Sequence, residues 1–472
     1  NKETGAAVTL AAEADRAAPP APGKPVSARI PTTEEKTLGN GLRVIVATNR
    51  ALPLISANLR FASGASSDPA DLAGLADMTA SLATKGTRTR SATDIAQQIE
   101  RLGASLGAGA DADSTAVSLF TRADRRDEAF ELFADVTRNP IFAAEELKRA
   151  QQQAVDELSV ALGNPGQVAA RVMTRVLYGA SPYGGVATER SLEAIKSETA
   201  ADHHLKYWRP ENGVLVLAGD ISAAEGFALA EKHFGGWKPA PNPLAAATMP
   251  APPPPPSAPR VLVVDFPGSG QAAVAFGLRT LERTHKDYFP TLVATTVLGG
   301  GYSARLNTEI RIKRGLSYGA GASLPSRRAA APVVARTQTK NESATLVADL
   351  IGKEFARLGA EDAPQGELAA RKATLIGGFG RDVETISGLA GDLSTFALYG
   401  LPSSSLARYT SDIEQVDAAA ARAAARAYLA PERASIVVVG DAKTFWTDFK
   451  KAHPTAQRLS IKKLDLDKPT LD

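Results

Sequence analysis

A repeat with a period of 221 residues constrains the fold of this chain more than any other feature of its sequence. The same residue types recur at this offset where each half ends a helical pattern and begins an apolar strand pattern. The paired positions are Tyr207 and Tyr428, Pro210 and Pro431, Glu211 and Glu432, Gly219 and Gly440, and Asp220 and Asp441. Glu146-Leu147 and Glu367-Leu368 keep the same spacing inside long helical patterns. Because solenoid repeats are only about 20–50 residues long, this longer period predicts two duplicated domains.

Five consecutive prolines at 252–256 mark the boundary between the two copies. Proline fixes φ and has no N–H to donate, so residues 239–259 are predicted to form an extended linker outside any helix or sheet. The Ala/Pro-rich residues 1–32 cannot bury a core and are predicted to be a disordered tether. The predicted domains are therefore 33–238 and 260–455, followed by a C-terminal tail at 456–472.

Each half mixes strand patterns with helix patterns. In the first half, residues 42–47 and 54–61 alternate or run apolar, as paired strands do. Helical spacing follows at 69–84 and again at 91–102, where Ser91 is suited to cap a helix N-terminus. Strands grouped around helical runs predict an α+β fold with two homologous tandem domains. Each domain is expected to contain an antiparallel-rich mixed sheet with helices packed on one face.

Charge and residue content exclude several functions. Lys and Arg number 54 against 51 Asp and Glu, a balance that gives no basis for nucleic-acid binding. The chain has no cysteine, which excludes thiolate metal sites, disulfides and cysteine nucleophiles. It has five histidines, and no two of them lie four residues apart. No apolar stretch reaches the roughly eighteen residues of a membrane span. Asp111 and Asp113 lack the ligand series of a calcium loop and are predicted to lie in a solvated turn.

A helical motif in the first half carries the most specific signal in the sequence. It reads Gly74-Leu-Ala-Asp-Met-Thr-Ala-Ser-Leu-Ala-Thr-Lys-Gly-Thr87. This segment resembles the pattern G-L-A-H-x-x-E-H-x-x-x-K-G-T of the pitrilysin/insulinase metallopeptidases, the inverted zincins. In that pattern two histidines on one helical face bind zinc, and the glutamate between them acts as general base. The resemblance extends over about residues 33–455 and implies a LuxS/MPP-like metallopeptidase fold.

The zinc-binding positions of the motif are substituted. Asp77 stands at the first histidine, Ala80 at the glutamate and Ser81 at the second histidine. Glu157 matches the third ligand of the family, a glutamate in a downstream helix. Asp77 and Glu157 could offer oxygen donors to a hard cation, but two carboxylates without imidazole make a poor zinc site, and Ala80 cannot activate water. We therefore expect a degenerate site that binds no metal, with Glu157 as a carboxylate on a helix surface.

The second half keeps another catalytic element of the same family. A glycine-rich turn, Gly299-Gly-Gly-Tyr-Ser303, precedes a segment similar to the family's R-E-K-x-G-L-x-Y, with Ile312 in place of the glutamate. The resemblance implies that Arg311 and Tyr318 bind peptide substrate and stabilise a tetrahedral intermediate, because both side chains can donate hydrogen bonds to an oxyanion. Further candidates for substrate binding are Gly299, Gly300, Gly301 and Arg314. For the glycines, a plain tight turn is the alternative.

A chain without zinc ligands that keeps the Arg/Tyr pair resembles the partner subunit of a heterodimeric zinc peptidase. This implies a non-catalytic subunit that is inactive alone and binds no cofactor, while a homologous H-x-x-E-H subunit holds the zinc. Short or unfolded peptides are the implied substrates, since a closed shell does not admit a large folded protein. One alternative is a purely structural scaffold or binding protein of the same fold. Another is an independent peptidase that uses a different metal at Asp77 and Glu157.

The start of the sequence bears on localisation. The chain begins at Asn1 with a Pro-rich tether and has no cysteine, a combination that suits a bacterial envelope compartment such as the periplasm. A cytoplasmic location is the alternative.

Overall fold

The computed structural model describes residues 29–239 and 258–472. Most of the predicted tether and of the predicted linker, including residues 252–256, lies outside these described ranges. Within them, no helix combines the length and the apolar character that crossing a membrane requires.

The first half contains a six-stranded sheet with the strand order β1-β2-β6-β3-β5-β4. Its strands are β1 (Thr33–Thr37), β2 (Arg43–Thr48), β3 (Leu54–Phe61), β4 (Ser105–Ala110), β5 (Thr115–Arg122) and β6 (Gly213–Gly219). Only β2 and β6 pair in parallel, and the other neighbours are antiparallel. The prediction of an antiparallel-rich mixed sheet is confirmed.

The second half repeats this arrangement with the order β12-β7-β11-β8-β10-β9. Its strands are β7 (Val261–Asp265), β8 (Ala272–Arg279), β9 (Ala320–Ser323), β10 (Pro332–Thr339), β11 (Ser435–Gly440) and β12 (Gln457–Ser460). β12 and β11 both pair in parallel with β7, and the remaining neighbours are antiparallel. The two sheets differ at one edge, where the first uses its N-terminal strand and the second its C-terminal strand.

Helices follow the strands in the same order in both halves. The first half has α1 (Leu75–Ala83), α2 (Ala92–Arg101), α3 (Arg126–Arg138), α4 (Ala144–Leu162), α5 (Pro165–Tyr178), α6 (Glu189–Glu193), α7 (Ser197–Tyr207) and α8 (Ala223–Phe234). The second half has α9 (Tyr288–Gly299), α10 (Arg305–Asn307), α11 (Ala344–Ala360), α12 (Gln365–Glu384), α13 (Ile386–Leu398), α14 (Ser404–Glu414), α15 (Ala418–Tyr428) and α16 (Trp446–Ala452). The pairs α4 and α12, α5 and α13, and α7 and α15 each start 221 residues apart, which confirms the repeat.

Local sequence accounts for where these helices begin. Ser91 caps α2 as predicted: its side chain accepts a hydrogen bond from the Asp94 N–H, and the Asp94 carboxylate accepts one from the Ser91 N–H. The helix expected from residue 69 begins only at Leu75, because two short 3-10 turns precede it. Gly74 adopts a left-handed conformation there, with φ of 102°, and glycine tolerates this at no steric cost.

Each sheet is covered on both faces, and the helices of its own half lie on one of them, as predicted. Helices of the same half pack on one face, as Phe130 and Phe133 of α3 do in the first core. The other face is covered by a helix from the opposite half. Val172 of α5 packs against the second sheet, and Leu389 of α13 packs against the first. A strand with two apolar faces must bury both, so the halves exchange helices and share their cores.

Residues 456–472 belong to the second domain and are not a separate tail. β12 lies in this segment and extends the second sheet. Beyond it, Leu466 and Leu471 are buried in the core between α5 and that sheet. The Arg175 guanidinium of α5 donates two hydrogen bonds to the Leu466 carbonyl oxygen, at 3.0 and 2.8 Å.

A buried carboxylate also joins the halves. Asp113 follows β4 and is 1% exposed, so the prediction that it lies in a solvated turn is wrong. Its carboxylate accepts hydrogen bonds from the hydroxyls of Tyr183 and Tyr399 and from the backbone N–H of Arg328. Tyr399 and Arg328 belong to the second half, and the Arg328 guanidinium also bonds the Ala62 carbonyl oxygen of the first.

Candidate functional site

The helix that resembles a zinc-binding helix is held in place by Asp68. The Asp68 carboxylate accepts hydrogen bonds from the backbone N–H groups of Gly74 and Ala76, both at 2.9 Å, and so satisfies donors at the start of α1. Burial raises the pKa of Asp68 to about 7, although these backbone hydrogen bonds oppose the shift. The motif therefore keeps a defined N-terminal anchor.

The three substituted positions on α1 have separate surroundings. The exposed Asp77 carboxylate accepts a hydrogen bond from the Ala110 N–H of β4 at 3.3 Å. Ala80 is completely buried in the core of the first half. Ser81 donates its hydroxyl proton to the Met78 carbonyl oxygen at 3.0 Å. The helix thus presents one carboxylate, a buried methyl group and a hydroxyl that is already bonded.

The fourth position of the degenerate site does not complete it. Glu157 is exposed on α4, and its carboxylate accepts a hydrogen bond from the Gln153 side chain at 2.9 Å. Over residues 29–239 and 258–472, no group of three or more His, Asp or Glu side chains could hold a metal ion. Zinc sites need about four donors and favour imidazole or thiolate, so this donor set does not fit zinc.

The glycine-rich turn has a steric explanation. α9 ends at Gly299, where a Cβ atom would lie 2.1 Å from the backbone nitrogen of Ala322 in β9. At Gly300 a Cβ would meet Thr296, and at Gly301 it would lie 2.9 Å from the Arg371 guanidinium. The plain-turn alternative therefore accounts for these three residues. Their role in substrate binding stays a prediction.

Arg311 lies on a π-helical turn, Thr308–Ile312, a form that often occurs at functional sites. Its guanidinium lies over the Tyr302 ring, 4.9 Å from the centroid. Among the described residues, no carboxylate forms an ion pair with it. Arg314 differs, because its guanidinium bonds the Glu309 carboxylate at 2.6 Å. Lys313 pairs with the same carboxylate, and its hydrogen bond, together with that of Arg314, lowers the pKa of Glu309.

Tyr318 is the most exposed large side chain of this region, at 89%. It precedes β9 and lines a cavity of about 510 Å³ between α5 and the second sheet. No described residue accepts or donates a hydrogen bond at its hydroxyl. Tyr302, on the glycine-rich turn, is also exposed, at 65%. This part of the second half thus carries two exposed aromatic rings, and a half-buried guanidinium lies over one of them.

Sequence reasoning missed the residue that links these side chains. Asn307 is 4% exposed, and its amide donates to the Tyr302 carbonyl oxygen and accepts from the Ala320 N–H at 3.1 Å. It therefore fixes the turn under Arg311 to the strand that follows Tyr318. No spacing rule marks an asparagine for this position. Tyr302 itself lies inside the glycine-rich motif, so its place beside Arg311 could have been proposed.

The two sets of predicted residues lie in different halves of the chain. No described hydrogen bond or ion pair joins Asp77 or Glu157 to Arg311 or Tyr318. Tyr318 lines one cavity, and Ala110, which bonds Asp77, lines a second of about 530 Å³. Arg336 of β10 lines both cavities.

Comparisons with known proteins match both halves of the chain. The family profile described as insulinase (peptidase family M16) matches residues 43–185, and that described as peptidase M16 inactive domain matches residues 194–375. The crystal structure of a peptidase M16 inactive domain from Pseudomonas fluorescens matches with a TM-score of 0.79 and 28% identity, and covers 86% of this chain and 98% of that one.

Two relatives illustrate the range of names in the family. An uncharacterized zinc protease of Mycobacterium bovis is 29% identical over 304 residues, which are 63% of this chain and 67% of that protein. The non-peptidase homolog YmxG of Helicobacter pylori is 25% identical over 367 residues, which are 76% of this chain and 82% of that protein. With both family profiles matched and the zinc ligands substituted, this chain belongs to peptidase family M16, as a non-catalytic member.

Proposed function

We propose that this chain is the non-catalytic subunit of a heterodimeric zinc peptidase and supplies Arg311 and Tyr318 to its partner's active site. The observation that carries the proposal is the state of these two side chains. Tyr318 is 89% exposed, and Arg311 has an aromatic contact but no carboxylate partner among the described residues. An exposed hydroxyl and a half-buried guanidinium without a carboxylate partner, both on a family motif, are available to a substrate that another chain brings.

The chemistry of the two groups suits peptide hydrolysis. The attacked carbonyl oxygen becomes an oxyanion in the tetrahedral intermediate. The Tyr318 hydroxyl and the Arg311 guanidinium can each donate a hydrogen bond to that oxygen or to the adjacent substrate backbone. Neither group can activate water, and Ala80 leaves no base on α1, so the chain alone would hydrolyse no peptide.

The proposed partner is a homologous M16 subunit with an intact H-x-x-E-H motif that holds the zinc. Its docking surface would include the segment from 302 to 318, where Tyr302, Ile312 and Tyr318 are exposed by 65, 50 and 89%. Exposed aromatic residues beside an arginine are typical of the centres of protein interfaces. The substrates would be short or unfolded peptides enclosed between the two subunits.

The test is reconstitution with such a partner and substitution of Tyr318→Phe. Loss of one oxyanion donor should lower kcat about 100- to 1000-fold and change KM much less. Zinc content and subunit association should not change, because the phenylalanine ring keeps the apolar surface at this position and the proposal assigns the lost hydroxyl to the substrate. Tyr207→Phe is the control: it removes a hydroxyl from a half-buried tyrosine of α7 in the first half and should leave kcat unchanged.

Turnover of Tyr318→Phe within about twofold of wild type would contradict the proposal, since a donated transition-state hydrogen bond is worth far more. The structural-scaffold alternative predicts that result, and it also predicts that the zinc subunit cleaves peptides equally well without this chain. The Helicobacter pylori relative is named a non-peptidase homolog, a name that fits the structural-scaffold alternative.

A further inference from the structure

Two adjoining cavities run along α5 on the face of the second sheet that this helix covers. The first, of about 510 Å³, is lined by Gln167 of α5 and by Tyr318. The second, of about 530 Å³, is lined by Thr174 and Tyr178 further along α5. Arg336 lies between the two cavities and lines both, and we call the two cavities together the α5 groove. Its floor is β10, and it starts beside the proposed catalytic tyrosine.

Arg336 lines the groove, and Arg171 of α5 is not itself a lining residue but lies next to it on the helix. Arg336 projects from the strand side. Arg171 comes from α5, where its position places it on the same helical face as the lining residues Gln167, Thr174 and Tyr178. Arg171 bonds only Gln167 among the described residues, and no described carboxylate pairs with either arginine. Burial lowers the pKa of both guanidinium groups.

The carboxylates nearest the groove are already engaged. Asp111 lines the second cavity, but it pairs with Arg60 at 3.3 Å and accepts the Ser114 hydroxyl proton. Asp113 accepts three hydrogen bonds from Tyr183, Tyr399 and Arg328. A further arginine, Arg327, lines the second cavity. Among the described residues that line the two cavities, two arginines, Arg327 and Arg336, face one carboxylate, Asp111.

We propose that the α5 groove binds an extended peptide segment through a carboxylate that Arg336 and Arg171 hold between them. The inference rests on the proposed function, because the segment would be the part of a substrate that continues from the bond beside Tyr318. It goes further by naming the substrate class: peptides that carry a carboxylate a few residues from the cleaved bond.

The shape and chemistry of the groove support this ligand. An extended chain advances about 3.3 Å per residue, so a few residues would pass from Tyr318 to Arg336. Guanidinium groups bind carboxylates with paired, charge-assisted hydrogen bonds, and a partly desolvated arginine without a partner gains most from one. The carboxylate could belong to an acidic side chain or to a peptide C-terminus, because both present the same group to the arginines.

The test measures peptide binding to the full chain alone, by fluorescence anisotropy. Labelled flexible octapeptides would carry a central Glu, a central Gln or a central Lys, each as the free acid and as the C-terminal amide. The Glu peptide should bind about tenfold or more tightly than the Gln peptide, and the difference should shrink as salt screens the charges. A preference for the free acid over the amide, with Glu and Gln equal, would assign the carboxylate to the C-terminus.

Variants connect the binding to the groove. Arg336→Gln and Arg171→Gln should each weaken the carboxylate peptide about tenfold and abolish discrimination against its neutral counterpart. Arg336→Lys keeps the charge and should retain most of the affinity. Arg408→Gln on α14 is the matched control, because its exposed guanidinium bonds only Ser405 among the described residues and α14, unlike α5, contributes no lining residue to either cavity.

Equal binding of carboxylate and neutral peptides to the wild-type chain would overturn the inference. Wild-type affinity in the doubly substituted Arg171→Gln, Arg336→Gln chain would overturn it as well. Neither result would touch the proposed function, since this assay contains no partner and no turnover. Conversely, wild-type kcat in the Tyr318→Phe variant of the reconstituted peptidase would contradict the proposed function. It would not change the interpretation of the peptide-binding data.

Discussion

At the scale of single residues, Arg311 is paired with an aromatic ring, that of Tyr302 on the glycine-rich turn. The Tyr302 ring supports the guanidinium from one side, 4.9 Å from the centroid. A contact with the face of an aromatic ring uses none of the guanidinium's hydrogen-bond donors. Tyr302 therefore aligns Arg311 while leaving its five N–H groups available to a substrate.

Substitution of Arg311→Ala tests this arrangement in the assembled peptidase. We expect kcat to fall about 100-fold, and KM to rise as well if the guanidinium also holds a ground-state carbonyl. The free energy of unfolding should change by no more than about 1 kcal/mol, because the half-buried side chain forms no described ion pair and its contact with the Tyr302 ring is a weak one. Steady-state kinetics and urea unfolding on the same preparation separate the two effects. A large loss of stability would instead identify Arg311 as a structural residue.

Two buried histidines make the stability of the first half depend on pH. His203 is 4% exposed, and neither ring nitrogen has a hydrogen-bond partner within the described residues; His204 bonds the Thr137 carbonyl oxygen. Burial lowers the pKa of each to about 4, and for His203 the neighbouring His204 and Lys206 add to the effect. The folded state therefore keeps both rings neutral where an unfolded chain would protonate them.

The sign of the pH effect follows from these values. An unfolded histidine binds its proton near pH 6.5, so lowering the pH below 6.5 favours unfolding until the folded pKa is reached. Relative to His203→Phe, the wild-type chain should lose about 2 kcal/mol of unfolding free energy between pH 7 and pH 5. Urea unfolding at several pH values checks this. A difference between the two chains that stays constant with pH would contradict it.

Sequence alone was informative for some of these residues and not for others. The substitutions at Asp77, Ala80 and Ser81 are visible because the motif fixes both residue type and spacing. Asp113 was misjudged because a short polar run predicts a turn but does not show what packs over it. Its partners Tyr183 and Tyr399 lie 70 and 286 residues away along the chain, so no local pattern connects them.

At the scale of elements, α5 and α13 are the helices that decide the architecture. They occupy equivalent positions in the repeat, and each covers the sheet of the opposite half. The apolar spacing of each helix predicts that one face is buried. It does not predict which sheet covers that face, because an apolar stripe on a helix can pack against any apolar surface. The exchange could therefore not be read from the sequence, although both helices could.

A cavity in the exchanged core should be costly. Leu389 of α13 is completely buried among residues of the first sheet, including Val214 and Val216. Leu389→Ala should lower the free energy of unfolding by about 2–5 kcal/mol, through lost burial and an unfilled cavity. Leu346→Ala on α11 is the control, because that side chain is 47% exposed and should cost under about 1 kcal/mol. Similar losses in both variants would show that α13 is not part of a shared core.

At the scale of the whole molecule, three kinds of contact hold the halves together. The exchanged helices supply apolar cores, and the Asp113 cluster supplies a buried polar link. Arg60 of β3 adds another, because its guanidinium bonds the Ser394 hydroxyl of α13 at 3.1 Å. These contacts are distributed over both sheets. We therefore expect the halves to stay associated without their covalent connection.

Cleavage of the connection tests that conclusion. Residues 252–256 can be replaced by a specific protease site and the folded chain cut there. We expect the two fragments to elute together from a sizing column at micromolar concentration and to separate only in denaturant, since interfaces that share a core bury the apolar area of obligate complexes. Added to the Leu389→Ala variant, the cut should release the fragments more easily, because that helix forms part of the interface. If the cut wild-type chain separates in native buffer, the exchanged helices do not hold the halves together, and the linker does.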